Sequence, residues 1–269
     1  GGRSRQMSLN TLIAFLLAFG LFIFAIVSQT NNYLIFVDPF SFVMVIGGTL
    51  AATFLGQEYR YVMLALRSIF SMFAVYRAGR NVLNQDVGRL IQWGYLAQQK
   101  GLIGLEAEVK KVQGDEFLSF GVENLLSGYT GEELRETLEI TADKTFERNL
   151  VPANILKGMG ATAPAFGMIG TLVGLIIMLS SLGADPKDLG IGLAVALNTT
   201  LYGVLFARLI LIPAASKLTQ RQQIQRFRHE LITEGLVMLA ERRSPRYIAD
   251  RMNSFLDPNI RFDIDKQAK

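Results

Sequence analysis

The chain has 269 residues, half of them hydrophobic and only 19% charged, with a mean hydropathy of +0.30. That balance excludes an ordinary soluble domain and points to a polytopic membrane protein with a substantial soluble portion. No cysteine is present, which removes disulfides, thiolate chemistry and Cys-based metal sites; the single histidine, His229, leaves little for a metal cluster, and the net charge of +4 follows membrane topology, not a nucleic-acid partner.

Residues 1–6 precede Met7, a natural start, and read as an expression remnant, so 1–8 form an N-terminal segment outside the fold. The first apolar run, 9–27, carries no charge, is too long for a signal-peptide core and lacks a following A-x-A cleavage pattern. A second run, 40–56, follows Asp38-Pro39 and contains Gly47-Gly48, giving a transmembrane hairpin over 9–56. Residues 57–155 read as a helical soluble domain with predicted helices at 59–80, 87–100, 105–112, 116–127 and 132–150, from apolar residues at three-four spacing. Gly101, Gly114, Gly128 and Gly131 punctuate it, and Glu132-Glu133 place acids in the first turn of its last helix, matching the helix dipole. Runs at 156–182 and 189–213 form a second hairpin over 156–213; like the first two, each can cross an apolar core of ~30 Å at ~1.5 Å per residue. The tail, 214–269, starts with an amphipathic helix carrying Leu218, Phe227, Leu231 and Leu239, and Ser244-Pro245 opens a short final one. The fold class is therefore all-α, with four transmembrane helices and a helical cytoplasmic domain.

Charge asymmetry sets the orientation. The loop at 28–37 has no Lys or Arg and the loop near 185–188 has only Lys187, whereas 57–157 holds twelve and the tail after Pro213 holds eleven. The positive-inside rule puts both termini, the middle domain and the tail in the cytoplasm, and Arg60, Arg67, Lys217 and Arg221, just beyond the second and fourth spans, agree.

Small residues and hydroxyls mark the last two spans. Gly167, Gly170, Thr171 and Gly174 fall on one helical stripe, and Ala196, Thr200, Gly203 and Ala207 on another. Two readings stay open: close packing of backbones, or a polar wall in which Thr171, Thr199 and Thr200 offer oxygens to a hard cation, Thr171 and Thr200 foremost. Pro164 and Pro213 each remove a helical hydrogen bond, as simple kinks or as hinges that open carbonyls to an ion path. No Asp, Glu, Lys or His lies in the interior of a span; Asp38 sits at an outer end and Arg208 near an inner one. A proton relay needs an ionisable group, so this chain needs a partner to carry protons. There is no P-loop, G-x-G-x-x-G, H-E-x-x-H or G-x-S-x-G, hence no catalytic constellation, no cofactor and no reason to expect an enzyme.

The segments FVDPFSFVMVIGGT, APAFGMIGTLVGL and LAVALNTTLYG…LIP resemble the second, third and fourth spans of the flagellar stator A-subunits, the MotA/PomA branch of the MotA/TolQ/ExbB superfamily, and GLVMLAERRSPRYIADRMNSFL resembles their C-terminal signature. The resemblance covers nearly the whole chain, and four spans with a large domain between the second and third set this branch apart from the three-span Ton/Tol energisers. It implies a bacterial inner-membrane protein in which five A-subunits surround two single-span B-subunits, each with a membrane Asp that carries the ion. Ion passage would turn the A-ring, whose cytoplasmic domains push on the flagellar rotor ring protein. By position, Pro164 and Pro213 match paired prolines tied to gating and torque, and Thr171, Thr199 and Thr200 match hydroxyls of sodium-driven members. The resemblance thus implies Na+ rather than H+ as coupling ion, with Gly167, Gly170, Gly174 and Gly203 packing against the B-subunit. Glu106 and Glu108 stand where the family places rotor-facing acids; the usual upstream bases are Gln98 and Gln99 here, leaving Lys100 and Arg89 to compensate. Two rival readings are an energiser of gliding, outer-membrane transport or defence in the same superfamily, and a structural membrane scaffold.

Overall fold

The structure, a computed structural model, describes residues 8–74, 80–180, 182–183 and 186–262. Residues 1–7, of which 1–6 are read above as a remnant, and Asp185 of the loop near 185–188 lie outside the described residues. Among the described residues the elements are all helical, and four helical runs are long and apolar enough to cross a membrane: Leu9–Gln29, Tyr33–Gly56, Gly131–Ser180 and Leu189–Ala240.

The chain divides into two compact units, residues 1–75 with 150–220, and 76–149 with 221–269. The first unit opens with α1 (Leu9–Gln29) and a 3-10 turn, Tyr33–Phe36. The second crossing is made in three pieces: α2 (Pro39–Phe42), a π turn (Val43–Gly47) and α3 (Gly48–Gly56). Its start is fixed locally, since the Asp38 carboxylate accepts the Ser41 N–H at 2.9 Å and Pro39 takes the first helical position, where its missing N–H costs nothing. The amphipathic α4 (Tyr59–Ser71) buries Val62 and Ala65 and ends before the predicted limit of 80.

In the second unit, α5 (Arg80–Lys100) begins earlier than the predicted residue 87 and stops at Gly101, whose φ of 72° suits glycine. A 3-10 turn, Leu102–Leu105, leads to α6 (Glu106–Val112), and α7 (Glu116–Leu126) follows, capped by Asp115 accepting from Leu118 N–H at 3.1 Å. Thr130 and Glu133 then bond reciprocally, side chain to backbone N–H, and open α8 (Gly131–Ser180). The predicted helix at 132–150 and the third span are thus one helix of 50 residues that runs through Pro152 and Pro164. The fourth span and the tail are likewise continuous, from α9 (Pro186–Leu205) through a π turn (Phe206–Leu211) into α10 (Ile212–Ala240). A proline deletes its own hydrogen bond without ending a helix when the surrounding turns are packed, so Pro152 and Pro164 lie inside one helix and do not mark a boundary. The last helix is α11 (Pro245–Asn253), with the Ser244 hydroxyl as its cap.

Each unit has its own core. Leu156, Met159 and Ala163 of α8 meet Leu211 and Ala214 in the first, with Ala65 of α4 beside them. In the second, Leu90, Ile91 and Trp93 of α5 pack with Leu118, Leu138, Leu236 and Met252.

Candidate functional site

The third and fourth crossings meet along a seam made of backbone. A Cβ placed on Gly203 of α9 would lie 2.8 Å from the Ala163 carbonyl oxygen and 3.2 Å from the Cα atoms of Gly167 and Pro164. One on Gly167 would lie 2.9 Å from the Thr199 carbonyl oxygen, and one on Gly174 3.0 Å from both Ala196 Cβ and the Gly192 oxygen. At Gly170 the neighbour is the Thr199 side chain. The glycines expected to receive the B-subunit therefore face α9 or α8 within the chain, where a Cβ on any of them would meet backbone, the Thr199 side chain or Ala196 Cβ. Sequence spacing gave the stripe but could not say which helix fills it.

The three threonines do not form one group. Thr199 is fully buried; its hydroxyl donates back to its own helix, with Val195 O at 2.8 Å and Ala196 O at 3.0 Å, and its methyl sits on Gly170. It belongs to the packing of the seam. Thr171 and Thr200, in contrast, come together with their hydroxyl oxygens in hydrogen-bond contact, and Thr200 is exposed on the protomer. The Thr171 hydroxyl also lies 2.8 Å from Ala196 O across the seam and 3.1 Å from Gly167 O on its own helix. One hydroxyl has one proton, so it serves one acceptor at a time. The result is a group of oxygens, with no carboxylate from the neighbouring turns of α8 or α9. Such oxygens suit a hard cation, but they supply no counter-charge.

Of the two prolines, Pro164 lies on the seam beside Gly203, two turns before Thr171, whereas Pro213 follows the π turn and lines a cleft against α1. The structure does not bring Pro213 to the threonine pair.

A polar cluster at the start of the second crossing was not read from the sequence. Asp38 N–H donates to the Tyr202 hydroxyl at 3.0 Å, Tyr202 donates to Phe36 O, and Asn198 Nδ2 donates to Ile35 O at 2.8 Å. Ser41, fully buried, bonds the Asp38 carboxylate. Its only sequence signal was Asn198 and Tyr202 one turn apart in an apolar run.

In the second unit, Glu106 and Lys100 are exposed, while the other two expected rotor contacts are engaged locally. Glu108 accepts from Lys111 at 2.6 Å and from Trp93 Nε1 at 3.3 Å; the bond to Lys111 holds its carboxyl below the usual glutamate range. Arg89 lies 3.4 Å from Asp86. Beneath them Arg228 is buried between Asp86 (2.5 and 3.2 Å) and Asp115. Burial opposes its charge, but the bonds to the two carboxylates raise its pKa above the ordinary arginine value. Its neighbour His229 stacks on Phe117 at 3.9 Å between ring centroids, and burial, then the Arg228 charge, pushes its pKa down to about 4.

Against known proteins, residues 110–230 match the MotA/TolQ/ExbB proton channel family. Motility protein A of Treponema phagedenis is 31% identical over 262 residues, spanning 97% of this chain and 98% of that protein. Chemotaxis protein PomA of Vibrio alginolyticus is 29% identical over 266 residues, spanning 97% and 100%. The fold matches the solved structure of C. jejuni MotAB with a TM-score of 0.83 at 24% identity, covering 94% of this chain and 97% of that one. It matches the flagellar MotAB stator complex from Bacillus subtilis equally well, with a TM-score of 0.83 at 23% identity and coverage of 97% and 99%.

Proposed function

From the premise that this chain belongs to the MotA/TolQ/ExbB proton channel family, in its motility protein A branch, we propose that it is the A-subunit of a Na+-driven flagellar stator. The family is one of channel and stator subunits, not of enzymes, and its members work in the membrane. The observation that carries the sodium reading is the Thr171–Thr200 hydroxyl pair, with the Ala196 carbonyl beside it and Thr200 open to whatever covers the protomer.

Five A-subunits surround two single-span B-subunits in this reading, in the bacterial inner membrane with both termini cytoplasmic, an orientation that the Lys/Arg asymmetry supports. A membrane Asp of the B-subunit supplies the negative charge that the oxygen group lacks. Sodium moves along that carboxylate and past the two threonines, and each passage turns the A-ring by one step, with Pro164 and Pro213 giving the compliance. Torque leaves through exposed charges on the cytoplasmic helices, Glu106 and Lys100 first, onto the rotor ring protein. Each such contact is worth roughly 0–1 kcal/mol and is screened by salt, so torque is shared among several.

The test is the swimming speed of cells whose only stator is this subunit with its B-subunit, with Na+ replaced by K+ at constant pH and ionic strength. Sodium coupling predicts collapse of speed in K+ and indifference to a protonophore while Na+ is kept. Speed maintained in K+ but abolished by the protonophore would make the motor proton-driven. Immobility with either ion, despite an assembled complex, would favour a non-flagellar load.

A further inference from the structure

We infer that a cleft on the first unit holds the headgroup of an anionic phospholipid from the cytoplasmic leaflet. The cleft has a volume of about 360 Å³ and lies between the first turns of α1 and the stretch where the π turn passes into α10, within the range of small-ligand sites, ~300–1,000 Å³. Its polarity is graded. Asn10, Thr11 and Lys217 gather at one end, where the Lys217 ammonium bonds the Thr11 hydroxyl. Toward the other end the walls are Phe15, Ala18 and Leu209, next to Arg208. Asn10, Ala14 and Ala18 recur every fourth residue on one stripe of α1, and the two alanines leave a trough where larger side chains would close it.

The second cation is Arg208. It is the only charged side chain in residues 189–213, and among the described residues no carboxylate forms an ion pair with it. A guanidinium at the inner margin of an apolar crossing is costly unless it reaches an anion or the interface. A guanidinium fork and an ammonium at one cleft fit a phosphodiester, the fork by paired hydrogen bonds and the ammonium as a point charge. The apolar trough of Ala14 and Ala18 alongside them fits an acyl chain. Free phosphate would use the cations and leave the trough unexplained, whereas a zwitterionic lipid brings its own ammonium against Arg208 and Lys217. Basic clefts between membrane helices on the cytoplasmic side are suited to such lipids. The choice of leaflet rests on the orientation proposed above; the choice of ligand does not.

Native mass spectrometry of the complex with its B-subunit tests this, after incubation with mixed micelles of phosphatidylglycerol and phosphatidylcholine. The native complex is expected to retain phosphatidylglycerol in preference, and the Arg208→Gln/Lys217→Gln variant to retain about tenfold less, the scale of losing charge-assisted contacts. Arg208→Lys/Lys217→Arg, which keeps both charges, should retain most of it. Ala14→Phe, which blocks the trough but spares both cations, should also release lipid. Equal retention by the double glutamine variant overturns the inference, as does retention by Ala14→Phe with displacement by inorganic phosphate, which would make this a plain phosphate site. The mass of the assembly in the same spectra reports separately on the stator reading.

Discussion

Gly203→Ala puts the α8–α9 seam to its sharpest test. The new methyl would lie 2.8 Å from the Ala163 oxygen and 3.2 Å from two Cα atoms, where ordinary contact begins at 3.4 Å. All three neighbours are backbone, so no rotamer change relieves the clash and the helices must part by about half an ångström. On a 6–12 potential a gap of ~0.5 Å forfeits roughly a quarter of each dispersion contact along the seam. The same shift would lengthen the 2.8 Å bond from Thr171 to Ala196 O beyond good geometry. Overpacking of this kind costs about 1–3 kcal/mol. Gly20→Ala in α1, where nothing lies within 4 Å of the added methyl, is the control, and it should stabilise by up to ~1 kcal/mol through helix propensity alone. The assay is the unfolding half-life of the purified complex at fixed temperature, since large membrane assemblies unfold irreversibly. A Gly203→Ala complex that survives as long as Gly20→Ala would sink the argument that this seam is closed by backbone contact.

The threonines separate by role: Thr199→Ala should shorten the unfolding half-life, from loss of the methyl packed on Gly170, with ion dependence unchanged. Thr171→Ala and Thr200→Ala should instead alter the Na+ dependence of speed in the motility assay. Replacing Arg228 by Gln strands Asp86 and Asp115, a loss of about 3–5 kcal/mol that should shorten the unfolding half-life by orders of magnitude; a half-life like that of the native complex would show that the carboxylates are hydrated. His229 has a folded pKa of about 4 against 6.5 when unfolded, so the unfolded chain takes up the proton first. Its contribution is complete above pH 6.5 and is lost as pH falls toward 4, about 3 kcal/mol in all. His229→Gln should flatten that part of the pH–stability profile, and an unchanged slope would place the acid sensitivity elsewhere.

Much of the fold was legible because its signals are local. Apolar run length gave the four crossings, and positive-φ glycines ended helices where Gly101 and Gly128 suggested. What could not be read were the joins: the runs were divided at 150/156 and at 213/214, whereas the helices continue through both places. The candidate site was half legible. Spacing places Gly167, Gly170 and Gly174 on one face of α8, but whether that face meets α9 or another chain depends on contacts between segments far apart in sequence. Thr199 and Thr200 are adjacent residues, yet about 100° apart around the helix, and that angle sends one into the seam and the other to the surface. The Arg228–Asp86–Asp115 group joins residues up to 142 positions apart and left no pattern to find.

The threonine pair has a further property that bears on how an ion could pass. A hydroxyl that binds a cation offers a lone pair and must still place its proton. Thr171 has two carbonyls in range, at 2.8 and 3.1 Å, in addition to the Thr200 oxygen. When a cation takes the side facing Thr200, the Thr171 proton turns to Ala196 O or Gly167 O, so Thr171 keeps a hydrogen bond to donate. For Thr171, coordination and release then differ little in the bond it donates within the chain. In the proposed reading the B-subunit's acid supplies most of the affinity, and this chain's hydroxyls set which ion that acid accepts. Removing them should therefore change ion preference before it changes the assembly of the stator.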